Sequence, residues 1–487
     1  MLQALSRFAA LSLLLSRAAA NLNLPSDPVC EDIKDAVSTS SAVFYPGTLE
    51  YSKGVFHYIS SSSDSSNCVV EPGTAADVGV ILGILGQTKT KFGVKGGGHA
   101  SNPGFSSTPG VQIYMGRFSS VVYNQASQTA EIGAGLIWDD VYAALEPHGV
   151  NVVGGRVSGV GVAGFTLGGG YSWKSNQYGL TIDTVTAYEL VKPDGTVTTV
   201  TPSDEDLFFA LKGGFNNFGI VTKFTLKTFP QTQVWGGVMT IPFTEHSKVS
   251  AATANFAANV TDPKASIITT FNAVAGVGQI AEMLLFYDAP TPPDGIFNNF
   301  TSIPALQTDV KTRSFISLVQ ASPSNVTTGQ RGRFNTVSLQ EITPQILDVI
   351  TDEFLAKSTS LLLGTGTFVS YDIEPFLSSA YGQSASTSAY PSTRGSTILP
   401  LNLYFAWLLP TSDSVFHDAI KESASTIAAA AITQGQNAVS SNVVYPNYAT
   451  WDTPLEKVYG ANLPRLEAIK ASVDPQNIMG LAGGFKF

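Results

Sequence analysis

Residues 94–107 read VKGGGHASNPGFSS, and the account of the whole chain turns on the histidine set behind these three glycines. Only five histidines occur in 487 residues, so His99 is not background. Glycine brings a backbone close to a ligand and tolerates positive φ. A histidine in that setting suits a metal ligand, a base, a cofactor attachment point or a plain turn residue. The rest of the chain has to choose among these.

Composition narrows the field. The chain is 44% hydrophobic and 13% charged, a compact globular profile, and its length suffices for about two to four domains. Its 27 basic and 37 acidic side chains leave a formal charge of −10. That balance argues against a nucleic-acid partner, because no basic excess exists to displace counterions. Arg7, an apolar stretch over residues 8–15 and small residues at 18–20 have the layout of a secretory signal peptide. Residues 1–20 are therefore expected to be removed and the protein secreted. No later run reaches the roughly 18 apolar residues of a membrane span, so no membrane is expected as a partner. The two cysteines, Cys30 and Cys68, are expected to pair in an oxidising compartment. Sequons at Asn259, Asn299 and Asn325 suit a secreted glycoprotein and fall together in one region, as if on an exposed outer domain. A monomer is expected.

From about residue 66 to 232, short β-like runs alternate with glycine turns and helix signals. VVEPGTAADVGVILGILGQTKTKFGVKGGG (69–98) reads as strand, helix, strand, with Thr74 to Asp77 opening the helix. Another helix is expected from near Trp138 and Asp139, and Asp194–Gly195 marks a hairpin turn. From 233 to 435 glycine thins out, and helices mix with strands such as GSTILPLNLYFAWLLP (395–410), which predicts a second domain. Residues 436–487 carry a helix and a Pro-containing turn and are expected to return to the first domain. Residues 21–65 form an N-terminal segment, whose serine run at 60–66 reads as a loop.

Glycine gathers in four clusters: GVKGGGH (93–99), GAGLIWDD (133–140), GGRVSGVGVAGFTLGGGYS (154–172) and LKGGFNNFGIV (211–221). Exposed N–H groups in such loops form nests for phosphate oxygens. Four of them together suggest an extended cofactor lying against the backbone. No G-x-x-x-x-G-K-[ST] motif is present, which excludes a P-loop, and the glycines lack the βαβ context of a Rossmann fingerprint. His57, His99, His148, His246 and His417 fall singly without ligand spacing, so no metal is expected.

A resemblance joins these pieces. CVVEP (68–72), VKGGGHASNPGFSS, IGAGLIWDDVY (132–142), NVVGGR (151–156), LGGGYSW (167–173), DLFFALKGGFNNFGIVTKF (206–224), YPNY (445–448) and VYGANLPRLEAIKASVDPQNIM (458–479) run in a familiar order. That order resembles the berberine-bridge-enzyme-like FAD oxidoreductases of the vanillyl-alcohol-oxidase superfamily, above all their secreted fungal, 6-hydroxynicotine-oxidase-like members. The resemblance implies an α+β, two-domain, PCMH-type FAD-binding fold. Its FAD domain would span 66–232. A substrate domain on an antiparallel sheet flanked by helices would span 233–435, with a returning C-terminal segment over 436–487.

The same resemblance assigns residues. FAD would be joined covalently through a ring nitrogen of His99, with Lys95 in the basic position before it. Gly96, Gly97, Gly98, Ala100, Gly155, Val160, Gly164, Gly168, Gly169, Gly170, Asn217, Gly219, Ile220, Val221 and Asn447 would cradle the cofactor. Many relatives add a second link from a cysteine. Val157 stands at that position here, with Phe165 where a histidine follows, so a single link is expected.

The cofactor implies the reaction class: a substrate C–H gives a hydride, a base takes the coupled proton, and the flavin passes electrons to O2 or another acceptor. Asn402 stands where relatives often carry Gln or Glu, and an amide is no base. Tyr445 and Tyr448 are the next candidates, since a tyrosine near a cation such as Lys95 has a lowered pKa. They serve equally well as packing between domains. Asp372 in VSYDIEP is a further candidate, and Val160 is the expected oxygen gate. Three functions compete. The first is a secreted oxidase acting on a small organic or sugar substrate and producing H2O2. The second is a secondary-metabolite tailoring oxidoreductase catalysing dehydrogenation or oxidative cyclisation. The third is a flavin-bearing glycoprotein with little turnover.

Overall fold

A computed structural model describes residues 27–322, 324, 327–382, 387–394 and 397–487. The expected signal peptide and the sequon at Asn325 lie outside the described residues.

The first sheet is built from β1 (Ala42–Phe44), β2 (Cys68–Glu71), β3 (Phe92–Lys95) and β4 (Val111–Tyr114), in the order β1-β2-β4-β3. β2 and β3 both run parallel to β4 between them, so the predicted strand–helix–strand is a crossover unit. Its helix, Ala75–Thr88, begins where Thr74 Oγ1 accepts the Asp77 N–H, the capping the sequence signals. Cys30 and Cys68 are disulfide-bonded across a separation of 38 residues, tying the helix Pro28–Ala36 to β2. On the chain-entropy model, closing a loop of that size stabilises the fold by about 4 kcal/mol.

β5 (Val121–Asn124), β6 (Thr129–Gly133), β8 (Val185–Val191), β9 (Val197–Val200) and β10 (Ile220–Lys227) form a second, antiparallel sheet in the order β5-β6-β10-β8-β9. A short ribbon pairs β7 (Val150–Asn151) with β11 (Phe229–Pro230). The predicted β8–β9 hairpin turns at Gly195, whose φ of +84° favours glycine. The predicted helix at Trp138 runs to Leu145 and buries Trp138 completely.

The third sheet is wholly antiparallel: β12 (Val234–Pro242), β13 (Ala265–Val274), β14 (Gly278–Tyr287), β15 (Gln307–Arg313), β16 (Arg331–Leu339), β17 (Gly366–Ile373) and β18 (Leu399–Trp407), in the order β15-β12-β14-β13-β17-β18-β16. The helices Pro344–Leu362 and Asp413–Thr433 pack on it, and His246–Asn259 packs on the first of these. Every residue of β18 is buried, so both faces of that strand are covered. A polar residue such as Asn402 in its middle therefore needs a partner inside the protein.

The C-terminal helices, Leu455–Tyr459 and Leu463–Val473, return to the first two sheets, burying Leu466 and Ile469 there, and Ala482 bridges to Phe92. The serine run departs from expectation. Residues Ser60–Ser62 form a 3₁₀ turn, Ser62 and Ser66 are buried, and their hydroxyls donate to Ala100 O and Thr108 O. Buried hydroxyls need acceptors, and these acceptors lie in the glycine–histidine loop and just beyond it. Asn259 and Asn299 are exposed. Among the described residues no helix is long and apolar enough to cross a membrane.

Candidate active site

A cavity of about 580 Å³ lies between the third sheet and the glycine loops, lined by both. Its loop side is made where two of the four glycine clusters cross. A Cβ built on Gly97 would lie 2.5 Å from Gly161 Cα, so only two glycines let these backbones touch. The loop past that crossing is held by its carbonyls. Gly98 O accepts from Tyr58 N–H (2.9 Å), Ala100 O from Ser62 Oγ (2.7 Å), and Ser101 O from Arg333 Nη1 (2.8 Å). The amide N–H groups of residues 97–102 have no acceptor among the described residues. A run of unpaired N–H groups beside a cavity is what an anionic, carbonyl-rich dinucleotide requires. FAD fits this donor set.

His99 lines the cavity with its ring stacked on Tyr58 at 4.3 Å and nearly parallel to Phe334 at 6.2 Å. Burial pushes its pKa down to about 4, so the imidazole is neutral and a ring nitrogen keeps its lone pair. Of the other expected cofactor residues, Gly96, Gly97, Gly98, Ala100, Val160, Gly164, Ile220, Val221 and Asn447 also line the cavity.

Lys95 does not. Its Nζ donates to Lys53 O at 2.7 Å and sits 4.4 Å over the Tyr114 ring, because alternation along β3 turns it away from the loop side. Gly155, Gly168, Gly169, Gly170, Asn217 and Gly219 stand behind the lining. Gly155 gives room to Trp138, Gly168 to Asn447, Gly169 to Tyr390 and Gly170 to Thr181. Gly219, at φ +135°, approaches Val191 O, and Asn217 ties the Gly214 and Phe485 carbonyls together.

The sheet side follows from register, since directly paired residues of antiparallel strands share a face. One row runs Glu282–Thr270–Asp372–Asn402 across β14, β13, β17 and β18. The next runs Ile280–Asn272–Ser370–Tyr404–Phe334. All nine side chains line the cavity. Asp372 accepts from Asn402 Nδ2 (2.9 Å) and Ser370 Oγ (2.7 Å). Burial raises its pKa, opposed by those hydrogen bonds.

A second carboxylate stands two residues on. Glu374 is ion-paired to Arg156, with Nη1 at 2.7 Å in an oblique approach, and both are buried. Tyr448 Oη accepts from Arg156 Nη2 (2.9 Å) and donates to Glu374 Oε1 (3.0 Å). Tyr445 Oη accepts from Asn447 Nδ2 at 2.8 Å. The cation beside the tyrosines is therefore Arg156 and not Lys95. Neither phenol has a lowered pKa. Burial pushes Tyr445 up to about 12, against the opposing effects of Asn447 and Arg156, and pushes Tyr448 well above its ordinary value.

Sequence reasoning missed Tyr58, Arg156, Glu374, Glu282 and Asn272. For Glu374 a signal existed: it stands two positions after Asp372, one residue past the end of β17, and the period-two spacing carries it to the same side. No cluster of three or more metal-ligating side chains occurs among the described residues.

Comparison with known proteins agrees with this geometry. Residues 66–201 match the FAD binding domain model, and residues 444–481 match the berberine and berberine-like model. An uncharacterized FAD-linked oxidoreductase of Arthroderma benhamiae is 36% identical over 329 residues, 66% of this chain and 65% of its own length. The FAD-dependent monooxygenase drtC of Aspergillus calidoustus is 30% identical over 94% of this chain and 90% of its own. Among solved structures, a carbohydrate oxidase from Microdochium nivale superposes with a TM-score of 0.74 at 20% identity, covering 92% of this chain and 98% of the other.

Proposed function

The chain belongs to the berberine and berberine-like family of FAD-linked oxidoreductases, and on that premise we propose that it is a secreted, monomeric FAD-dependent oxidase of a small organic or sugar substrate, with O2 as acceptor. FAD, when bound, supplies the acceptor for a hydride from a substrate C–H and returns the electrons to oxygen. The amides of residues 97–102 would hold its polar edges, and the neutral His99 ring is the attachment point.

The observation that carries the proposal is Tyr448, which lines the same cavity as the His99 loop and lies between Arg156 and Glu374. As the substrate hydroxyl releases its proton to Tyr448 Oη, the phenol passes its own to Glu374 Oε1. Arg156 stabilises the negative charge that moves between them. A tyrosine with a raised pKa works in this role because it is never left as a free phenolate. Asn402 holds Asp372 and does not itself take a proton.

Support for a sugar substrate comes from the likeness to a carbohydrate oxidase. A second reading, tailoring of a secondary metabolite, is favoured by the likeness to a fungal FAD-dependent monooxygenase. Anaerobic titration of the purified protein with sugars, phenols and alkaloids, followed by flavin bleaching and H2O2 release, separates the two. Tyr448→Phe should slow bleaching by about a hundredfold or more with flavin content unchanged. Wild-type bleaching rates in that variant would remove Tyr448 from the mechanism.

A further inference from the structure

The sheet side of the cavity has an unbalanced hydrogen-bond inventory. Each donor makes one bond: Ser370 Oγ and Asn402 Nδ2 donate to Asp372, Asn272 Nδ2 to Glu282 Oε2 at 2.6 Å, and Tyr404 Oη to Thr327 Oγ1 at 2.8 Å, which leaves one N–H on each amide. Open lone pairs outnumber these two N–H groups. Asn272 Oδ1 and Asn402 Oδ1 are buried without a partner among the described residues, on residues only 5% and 6% exposed. Among the described residues Glu282 hydrogen-bonds to Asn272 alone, through one oxygen. Charge is unbalanced as well, because the lining holds three carboxylates and one guanidinium, and Arg156 is already paired with Glu374. Unpaired buried acceptors are costly, so a ligand that supplies donors is favoured and one that supplies more acceptors is rejected.

We propose that Asn272 and Glu282 form a second subsite that selects hydrogen-bond donors and holds the non-reacting end of the substrate as a hydroxyl or an ammonium group. The proposal rests on the oxidase reading and names its substrate class. Glu282 lies two strands from Asp372, about 10 Å along the row, and Asn272 lies on the strand between them in the neighbouring row. A substrate can therefore place its reacting carbon near Tyr448 and its far end here. Carboxylate- and phosphate-bearing compounds are excluded. Burial and the nearby Asp372 raise the Glu282 pKa, opposed by the hydrogen bond from Asn272, and a cation bound beside the carboxylate would lower it again.

The test is a set of para-substituted benzyl alcohols titrated anaerobically into the holoenzyme, with dissociation constants read from the flavin difference spectrum. 1,4-Benzenedimethanol and 4-(aminomethyl)benzyl alcohol should each bind about tenfold more tightly than benzyl alcohol, and 4-(hydroxymethyl)benzoate more weakly than benzyl alcohol. Glu282→Gln keeps the side chain's shape and its bond from Asn272. It should abolish the ammonium advantage, retain the hydroxyl advantage and improve benzoate binding. Asn272→Leu should remove the hydroxyl advantage too. Equal binding of the benzoate, or wild-type selectivity in Glu282→Gln, overturns the subsite. Selective binding without any bleaching supports the subsite and removes benzylic alcohols as substrates, and the oxidase reading falls only if the sugars, phenols and alkaloids fail to bleach the flavin as well.

Discussion

Gly97 and Gly161 lie backbone against backbone: a Cβ on Gly161 would sit 2.6 Å from Gly97 N, and one on Gly97 2.5 Å from Gly161 Cα. The contact joins the histidine loop to the helix entry at Val162, and neither loop can yield without moving the other. Gly97→Ala or Gly161→Ala should therefore cost about 1–3 kcal/mol of stability and deplete bound flavin. Flavin absorbance per protein, measured beside far-UV circular dichroism, checks this. Full flavin content in both variants would show that the crossing does not shape the cofactor site.

His99 is the one histidine that lines the cavity. With Val157 in place of a second attachment residue, a single covalent link is expected. Acid-precipitated protein should stay yellow, a tryptic peptide containing His99 should carry the mass of FAD, and His99→Ala should release all flavin on precipitation. Colourless wild-type pellets would sink the covalent assignment.

Val160 lines the cavity, and its carbonyl accepts the Trp138 N–H at 3.0 Å, which fixes its position. If it gates oxygen, Val160→Leu should slow reoxidation of the reduced enzyme by about an order of magnitude, because a close-packed lining feels one added methylene. Stopped-flow mixing with oxygenated buffer measures it. Reoxidation that takes minutes in the wild type would point to a different acceptor.

Acid should loosen the N-terminal region through Asp77. Burial alone would raise this carboxyl, but bonds from the Ser38 N–H, Ser38 Oγ, Thr74 Oγ1 and Ser41 Oγ hold it at about 2, against an ordinary 3.8. Because the folded pKa is depressed, the stabilisation is full above the unfolded value. It fades as pH falls from about 4 to about 2. A shift of about two units is worth about 2–3 kcal/mol. Asp77→Asn should lower neutral-pH stability by about that much and flatten the acid limb of a denaturation-versus-pH curve. An unchanged acid limb would assign the loss of stability to other carboxylates.

The loop half of the site was legible because its constraints are local. A glycine that must cross another backbone, a cap at Thr74 and a turn at Gly195 each leave a mark within a few residues. The same holds for His99, Val160 and Asn447, whose quoted motifs carried them to the cavity. Lys95 misled because a motif does not say which face of a strand a residue occupies, and β3 directs it at Lys53 O. Arg156 lay inside a quoted motif and went unread, since its partner Glu374 is more than 200 residues away.

The sequence by itself determined the glycine clusters, the pairing of the two cysteines, the helix starts at Thr74 and Trp138 and the chemistry that His99 suits. Only the tertiary structure decided which groups share the cavity. The row Glu282–Thr270–Asp372–Asn402 draws one residue from each of four strands, and its order, β14-β13-β17-β18, is not the order of the chain. The tyrosine–arginine–glutamate cluster likewise joins residues 156, 374 and 448. Such contacts form because buried polar side chains must find their partners inside the protein. That requirement acts through strand register, which no short stretch of sequence records.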